Sequence, residues 1–446
     1  MRFRMMTVLL IGLAMAGVAV AALTADDVEM AIYGTGDGRQ AAMVRLRQAG
    51  PPGLDQLLAR VATLDRQREA SPHDEALLQA RQALEDAIEQ VGGARYCRQS
   101  QLYWYTDEAQ ALAAARSQGK PILALRLLGQ LTDEYSCANS RFFRTTLYSN
   151  AEISRYLREN YILTWKSVRP VPTITIDFGD GRRLQRTLTG NSIHYVLTSE
   201  GEIVDALPGL YGPRAFLERL RQAESLTREV ATLPVNDRTA RLAAWHLRQA
   251  SDSVQRWEAD LVAVTATDGA TTPLGPERPS VAASPAVAPS QVNRPLDAAA
   301  FLSQQLGSLA RRTGDEHWKL LAVRHAADAE LDAESREMIR AHRPVAAQAG
   351  RLAITKAIVE DPLLRTVRNL QHSIALDSIK NDYTFRPQIH LWLSAAAGAT
   401  IHQLDALNER VYAELFLMPA NDPWLGLAPP DVYTALPNNG VTVVRP

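Results

Sequence analysis

The chain is short of the residues on which most known chemistries depend. Only 2 of its 446 residues are cysteine, which excludes a cysteine-ligated metal cluster and a disulfide-dense scaffold. In the C-terminal third, His372, Asp377, Asp382, His390 and His402 lack the one-turn H-x-x-x-H or E-x-x-H placement that converges on a metal, so they read as solvated or capping residues. Asp177, Asp180 and Asp205 do not form a calcium loop, and "DFGDGR" reads as a turn. No metal and no cofactor is implied. There is no glycine-rich phosphate loop, and neither Ser140 nor Ser192 stands in a G-x-S-x-G setting. Positive charge is not in excess, with 48 Lys and Arg against 49 Asp and Glu, so the chain cannot neutralise a phosphate backbone and nucleic acid is excluded as a general partner. After the first two dozen residues no apolar run could span a bilayer.

What is present begins with an export signal. Arg2 and Arg4 precede an apolar stretch from Met5 to Val20, and Ala19-Val20-Ala21 supplies small residues for cleavage near Ala22. The stretch, roughly 18 residues, is also long enough to serve as an uncleaved membrane anchor. No cysteine lies near the cleavage position to carry a lipid. The expected location is periplasmic or secreted. In such an oxidising compartment two cysteines usually form one disulfide, here Cys97 with Cys137, a closure that stabilises by roughly 4 kcal/mol in the chain-entropy model.

The length predicts about two to four domains. After the signal (residues 1–22), residues 23–95 carry helical periodicity broken at Gly50-Pro51-Pro52-Gly53, as in a pair of packed helices. Residues 96–223 alternate in type. A helix over 107–120 ends at Gly119, a buried strand follows over 121–129, a second helix covers 149–160 and a second strand 161–168. Hairpins follow around Gly179-Asp180-Gly181 and Glu200-Gly201, and a helix closes the segment from Pro213. Residues 224–264 extend it with helix, anchored by Trp245 and Trp257. Residues 265–295 are rich in Pro, Ala, Ser and Thr and read as a disordered linker. Residues 296–446 form a helical region with an irregular tail, in which Trp424, Leu425 and Leu427 either dock a partner or pack on their own domain.

The central segment resembles the thioredoxin-like fold in its secreted branch. A helix runs into Gly119-Lys120-Pro121 and a strand. Cys137 then opens the next helix, with Tyr148 eleven residues on, before Ser149-Asn150-Ala151-Glu152-Ile153. The stretch "GEIVDALPGLYGPRAFLERL" looks like that family's last hairpin and helix. The resemblance covers residues 97 to 222. "CANSRFFR" and "GNSIHYVL" are also similar to bacterial secreted proteins without an assigned activity. The implied fold class is α/β, a thioredoxin-like domain with a mixed sheet sandwiched by helices, flanked by N- and C-terminal all-α regions. The family's redox motif is degenerate here: Ser140 replaces the second cysteine, the preceding tryptophan is absent, and Ser192 or Ile193 stands where a cis-proline is usual. A cis bond without proline costs about 3 kcal/mol, so a trans bond and an altered substrate loop of Ser192, Ile193 and His194 are expected.

Two functions follow from that resemblance. One is a noncatalytic or weakly catalytic module that binds a protein partner or client and is stabilised by the Cys97–Cys137 disulfide. The other is a thiol-disulfide oxidoreductase or isomerase with Cys137 as nucleophile, Ser140 beside it, and Cys97 or an external thiol resolving. Asp133 and Glu134 oppose a thiolate at Cys137. His194 either sits half-buried in its strand or faces Cys137 as a proton partner.

Overall fold

The structure is a computed structural model that describes residues 25–188, 190–267, 295–342, 362–424 and 435–436. The expected export signal lies outside the described residues, as do residues 268–294 of the expected 265–295 linker and most of the tail beyond Trp424; the linker's ends, 265–267 and 295, belong to the helices Val235–Thr267 and Pro295–Arg312. No helix among the described residues is long and apolar enough to cross a membrane.

The chain divides into two compact units, one ending at Gly92 and one beginning at Gly93. In the first, the helices on either side of Gly50 are Gly36–Gln48 and Pro51–Ala70, and they are joined by two more, Ala25–Tyr33 and Glu75–Gly92. Among the described residues the expected pair is therefore four helices. Pro51 and Pro52 begin their helix where no intrahelical N–H is needed. A side chain at position 53 would collide with the Leu46 carbonyl oxygen, so Gly53 lets these helices approach closely. Leu46, Leu54, Leu57, Leu84, Ile88 and Val91 form the buried interior.

Among its described residues the second unit has seven strands: β1 (Trp104–Tyr105), β2 (Ile122–Leu128), β3 (Ile162–Arg169), β4 (Thr173–Asp177), β5 (Arg183–Thr187), β6 (Ser192–Leu197) and β7 (Ile203–Pro208). Five of them form a mixed sheet in the order β1-β3-β2-β6-β7, while β4 and β5, among the described residues, pair only with each other. β1, β3 and β2 run parallel; β6 and β7 are antiparallel additions. β2 is buried along its whole length, as expected of a central strand with both faces covered. The helix Glu108–Gln118 between β1 and β2 is capped by Asp107, which accepts from Gln110 N at 3.0 Å, and ends at left-handed Gly119. Asn150 caps Ala151–Asn160 in the same way.

Register assigns the faces. Arg126, Lys166 and Tyr195 lie on one side, where Arg126 meets Glu108 and Asp405, and Tyr195 Oη donates to Asn408 Oδ1 at 3.2 Å. The helix Leu404–Arg410 and its continuation to Leu415 therefore cover this face, whereas the link from β3 to β6 contains the β4–β5 hairpin and no helix. His194 and Asp205 lie on the other side, against Phe143, Phe216 and Arg386. Farther from the sheet, Trp257 stacks on Tyr383 at 5.7 Å and is fully buried; Trp245 is half-buried.

Candidate functional site

β2 ends at Leu128, and Gly129 after it, with a left-handed φ of 74°, turns the chain into a loop. The loop returns at Cys137, whose N–H donates to Leu128 O at 3.1 Å. Cys137 is the N-cap of the short helix Ala138–Phe142, which widens through an i to i+5 turn as Tyr148 N bonds Phe143 O at 2.7 Å. The register expected for Cys137 at a helix start is thus observed.

Its surroundings are closed. The Cys137 side chain is fully buried. Ser140 Oγ lies 2.8 Å from Cys137 O and 2.6 Å from Ser136 Oγ, so its hydroxyl braces the turn and does not face solvent. The buried Arg144 guanidinium binds Leu131 O at 3.1 Å, Asp133 O at 2.9 Å and Ser136 Oγ at 3.1 Å, fixing the loop before the thiol. Burial lowers the Arg144 pKa, against the pull of Tyr96 and Glu134.

The loop before β6 rests on this helix. A Cβ at Gly190 would come within 2.8 Å of Asn139 Oδ1. Asn191 donates to Met418 Sδ, and its carbonyl oxygen accepts from Tyr412 Oη at 3.1 Å. Burial, and next the nearby Cys137, raise the Tyr412 and Tyr148 phenols well above their usual pKa. Arg169 holds the covering segment by bonds to Met418 O at 3.2 Å and Glu409 Oε2 at 3.2 Å, with its guanidinium 5.5 Å from the Tyr412 ring.

The residues of the substrate-loop expectation, Ser192, Ile193 and His194, are all buried in β6. Ser192 is buried and its Oγ has no hydrogen-bond partner among the described residues. Ile193 pairs with Arg126 and Pro208. No peptide bond among the described residues is cis. His194 is fully buried, not half-buried, because Phe143 and Phe216 pack on its ring at 4.6 and 5.1 Å. Its Nε2 bonds Tyr148 Oη at 2.6 Å, and burial pushes its pKa down to about 3, so it is a neutral imidazole. Its hydrogen bond goes to Tyr148, not to Cys137.

The expected Cys97–Cys137 disulfide is not formed, although the segments holding the two cysteines pack together. Arg95 N bonds Leu131 O at 3.1 Å, and Arg144 lies over the Tyr96 ring. Left-handed Tyr96 starts the helix Cys97–Ser100, and Cys97 Sγ turns to Ala94 O at 3.2 Å within its own segment. Cys137 is set by a different anchor, the end of β2. Two independent local geometries fix the sulfurs, and sequence spacing could not reveal that.

A second polar group lies inside the unit, and the sequence reading missed it. Asp205 and Arg386 are both wholly buried and paired bidentately at 2.7 and 3.2 Å, with Gln249 Oε1 3.1 Å from the same guanidinium. His390 Nε2 stands 3.2 Å from Asp205, and its Nδ1 meets His246 Nδ1 at 2.9 Å. Burial alone would raise the Asp205 pKa; Arg386 and His390 overcome it and hold the carboxyl far below its usual range. Burial, followed by each other's charge or that of Arg386, pushes both histidines down. Asp382 is likewise buried, paired with Arg219 and Tyr211. His390 and Asp382 are therefore internal residues, not solvated or capping ones. One local signal was available: a lone aspartate inside the apolar run Ile203–Leu207.

Among the described residues no three His, Cys, Asp or Glu side chains are grouped to hold a metal. An open hollow of about 300 Å³ lies at the other end of β2, lined by Lys120, Glu159, Glu224 and Arg228, and includes no member of the Cys137 group. Trp424 is exposed. No family model, curated protein or solved structure matches this chain.

Proposed function

We propose that the protein is an exported thioredoxin-like module that has given up redox turnover for binding a protein partner. The strand order, the parallel β1-β3-β2 core with antiparallel β6 and β7, and a cysteine capping the helix after β2 support the fold assignment. The observation that carries the functional reading is the complete burial of Cys137, with the buried Tyr148 and Tyr412 near it and Ser140 engaged internally. A thiol that attacks disulfides must meet them in solvent as a thiolate. Here the approach is closed by the chain itself.

The oxidoreductase reading retains one supporting observation: Cys137 caps a helix and its sulfur is not tied up in a disulfide. Insulin reduction by the mature protein, run beside Cys137→Ser, decides between the two. Background rates in both are expected, and both thiols should react with a chromogenic disulfide reagent only after denaturation. Turnover lost in Cys137→Ser would overturn the binding reading. Export is tested separately by sequencing the N-terminus of the secreted product, expected near Ala22.

A further inference from the structure

The β4–β5 hairpin stands apart from the five-stranded sheet, and every residue from Thr173 to Arg183 is exposed. Its register sorts its side chains into two unlike faces. Ile174 pairs with Arg186 and Ile176 with Leu184, while Phe178 N bonds Arg182 O and Leu188 N bonds Pro172 O, each at 3.1 Å. Ile174, Ile176, Phe178, Leu184 and Leu188 therefore share one face with Arg182 and Arg186. Thr173, Thr175, Asp177, Arg183, Gln185 and Thr187 make up the other. Single exposed apolar residues are ordinary, but four exposed ones on one face of a two-stranded ribbon form a patch: Ile174 at 40%, Ile176 at 43%, Phe178 at 55% and Leu188 at 46%.

We infer that this apolar face is a docking surface for an extended protein segment that turns both apolar side chains and a carboxylate toward it, so that the carboxylate meets Arg186. The inference rests on the protein-binding reading above and names the surface and the chemistry of the partner. Charge selects the occupant. Both charged residues on this face are arginines; Asp177 is paired with Arg183 on the opposite face, and Asp180 at the tip is paired with Arg182. Arg186 has no ion-pair partner among the described residues. A second copy of the same face would set arginines against arginines. Backbone groups separate a protein from a lipid surface, since neither strand has a second neighbour among the described residues. An added strand would satisfy that edge and place every other side chain on the apolar face, which acyl chains cannot do. The hairpin is also aimed at the thiol region. Arg141 Nη1 donates to Thr187 Oγ1 at 2.7 Å, and Val171 lies against Gly129, so its foot rests on the loop and helix that hold Cys137.

The probe is the synthetic heptapeptide Thr-Val-Thr-Glu-Thr-Val-Thr, whose Val and Glu side chains share one face of an extended strand, compared with its counterpart bearing Lys in place of Glu, titrated into the full mature chain by fluorescence anisotropy. Binding of the acidic peptide is expected to weaken about tenfold in Ile176→Ser and in Arg186→Glu, and to fall with added salt. Thr175→Ser, on the opposite face, should leave it unchanged, and circular dichroism should show all three variants folded. Absent binding, equal binding of the two peptides, or insensitivity to Ile176→Ser overturns the inference. So does a concentration-dependent dimer lost in Ile176→Ser, or binding to phosphatidylglycerol vesicles in place of the peptide. Insulin reduction by the same preparations reports on the proposed function independently, so failure of one does not imply failure of the other.

Discussion

Asp205 occupies a strand otherwise made of Ile203, Val204, Ala206, Leu207 and Pro208, and its charge is tolerated there only because Arg386 reaches it from a helix distant in sequence. Replacing both partners with apolar groups of similar volume is often neutral, whereas removing one leaves a buried charge without compensation. Asp205→Asn should therefore cost about 3 to 5 kcal/mol of unfolding free energy, read as a lower urea midpoint. The double change Asp205→Leu with Arg386→Met should recover most of that loss. A single variant as stable as wild type would show that the guanidinium is neutralised by something other than Asp205. Ser140 gives the opposite lesson. Its hydroxyl is spent on Ser136 and the Cys137 carbonyl, so in this fold it is a turn residue.

At the scale of elements, the cover over Cys137 is held largely by Arg169, which anchors Met418 O, Glu409 and the face of Tyr412. In a Cys97→Ser background, where Cys137 is the sole thiol, Arg169→Ala should speed labelling of Cys137 by about tenfold, equivalent to losing about 1.4 kcal/mol of local closure. Far-UV circular dichroism should not change. Unaltered labelling would place the barrier in the 190–192 loop instead. Elements whose signals are local were legible in the sequence: Asp107 and Gly119 bound one helix, Asn150 starts another, and Gly179 and Gly181 turn the first hairpin. β1 was not, because two residues have no period to detect, nor was Cys97–Ser100, a single turn started by a left-handed tyrosine. The helix Leu404–Arg410 was legible as a helix but not as the cover of the sheet. That role depends on Arg126, Lys166 and Tyr195 meeting Asp405 and Asn408 across the fold, and pattern carries no such distance information.

Over the whole 93–446 unit, the buried histidines make stability depend on pH in one direction. His194, His246 and His390 are all held neutral by burial, with folded-state pKa values below their ordinary 6.5. Unfolding lets them take up protons once the pH is below 6.5. Their contribution is therefore complete above that pH and declines as acid is added, for His194 down to about 3. Each contributes a slope of at most about 1.4 kcal/mol per pH unit. Asp205, held low by Arg386 and His390 despite its burial, adds a further loss below its ordinary 3.8. His325 has the reverse sign: the hydrogen bonds it donates to Asp328 and Asp260 raise it against desolvation, so its contribution is present below 6.5 and lost as pH rises through the raised value. Three against one leaves a net loss on acidification. Urea unfolding of this unit should give a free energy that falls steadily from pH 7 to pH 4. His194→Gln, which keeps a partner for Tyr148 but removes the titrating ring, should reduce the slope by about 1.4 kcal/mol per unit between pH 6 and 4. If the variant loses stability equally at every pH, the imidazole is not the neutral buried group that its place between Phe143 and Phe216 requires.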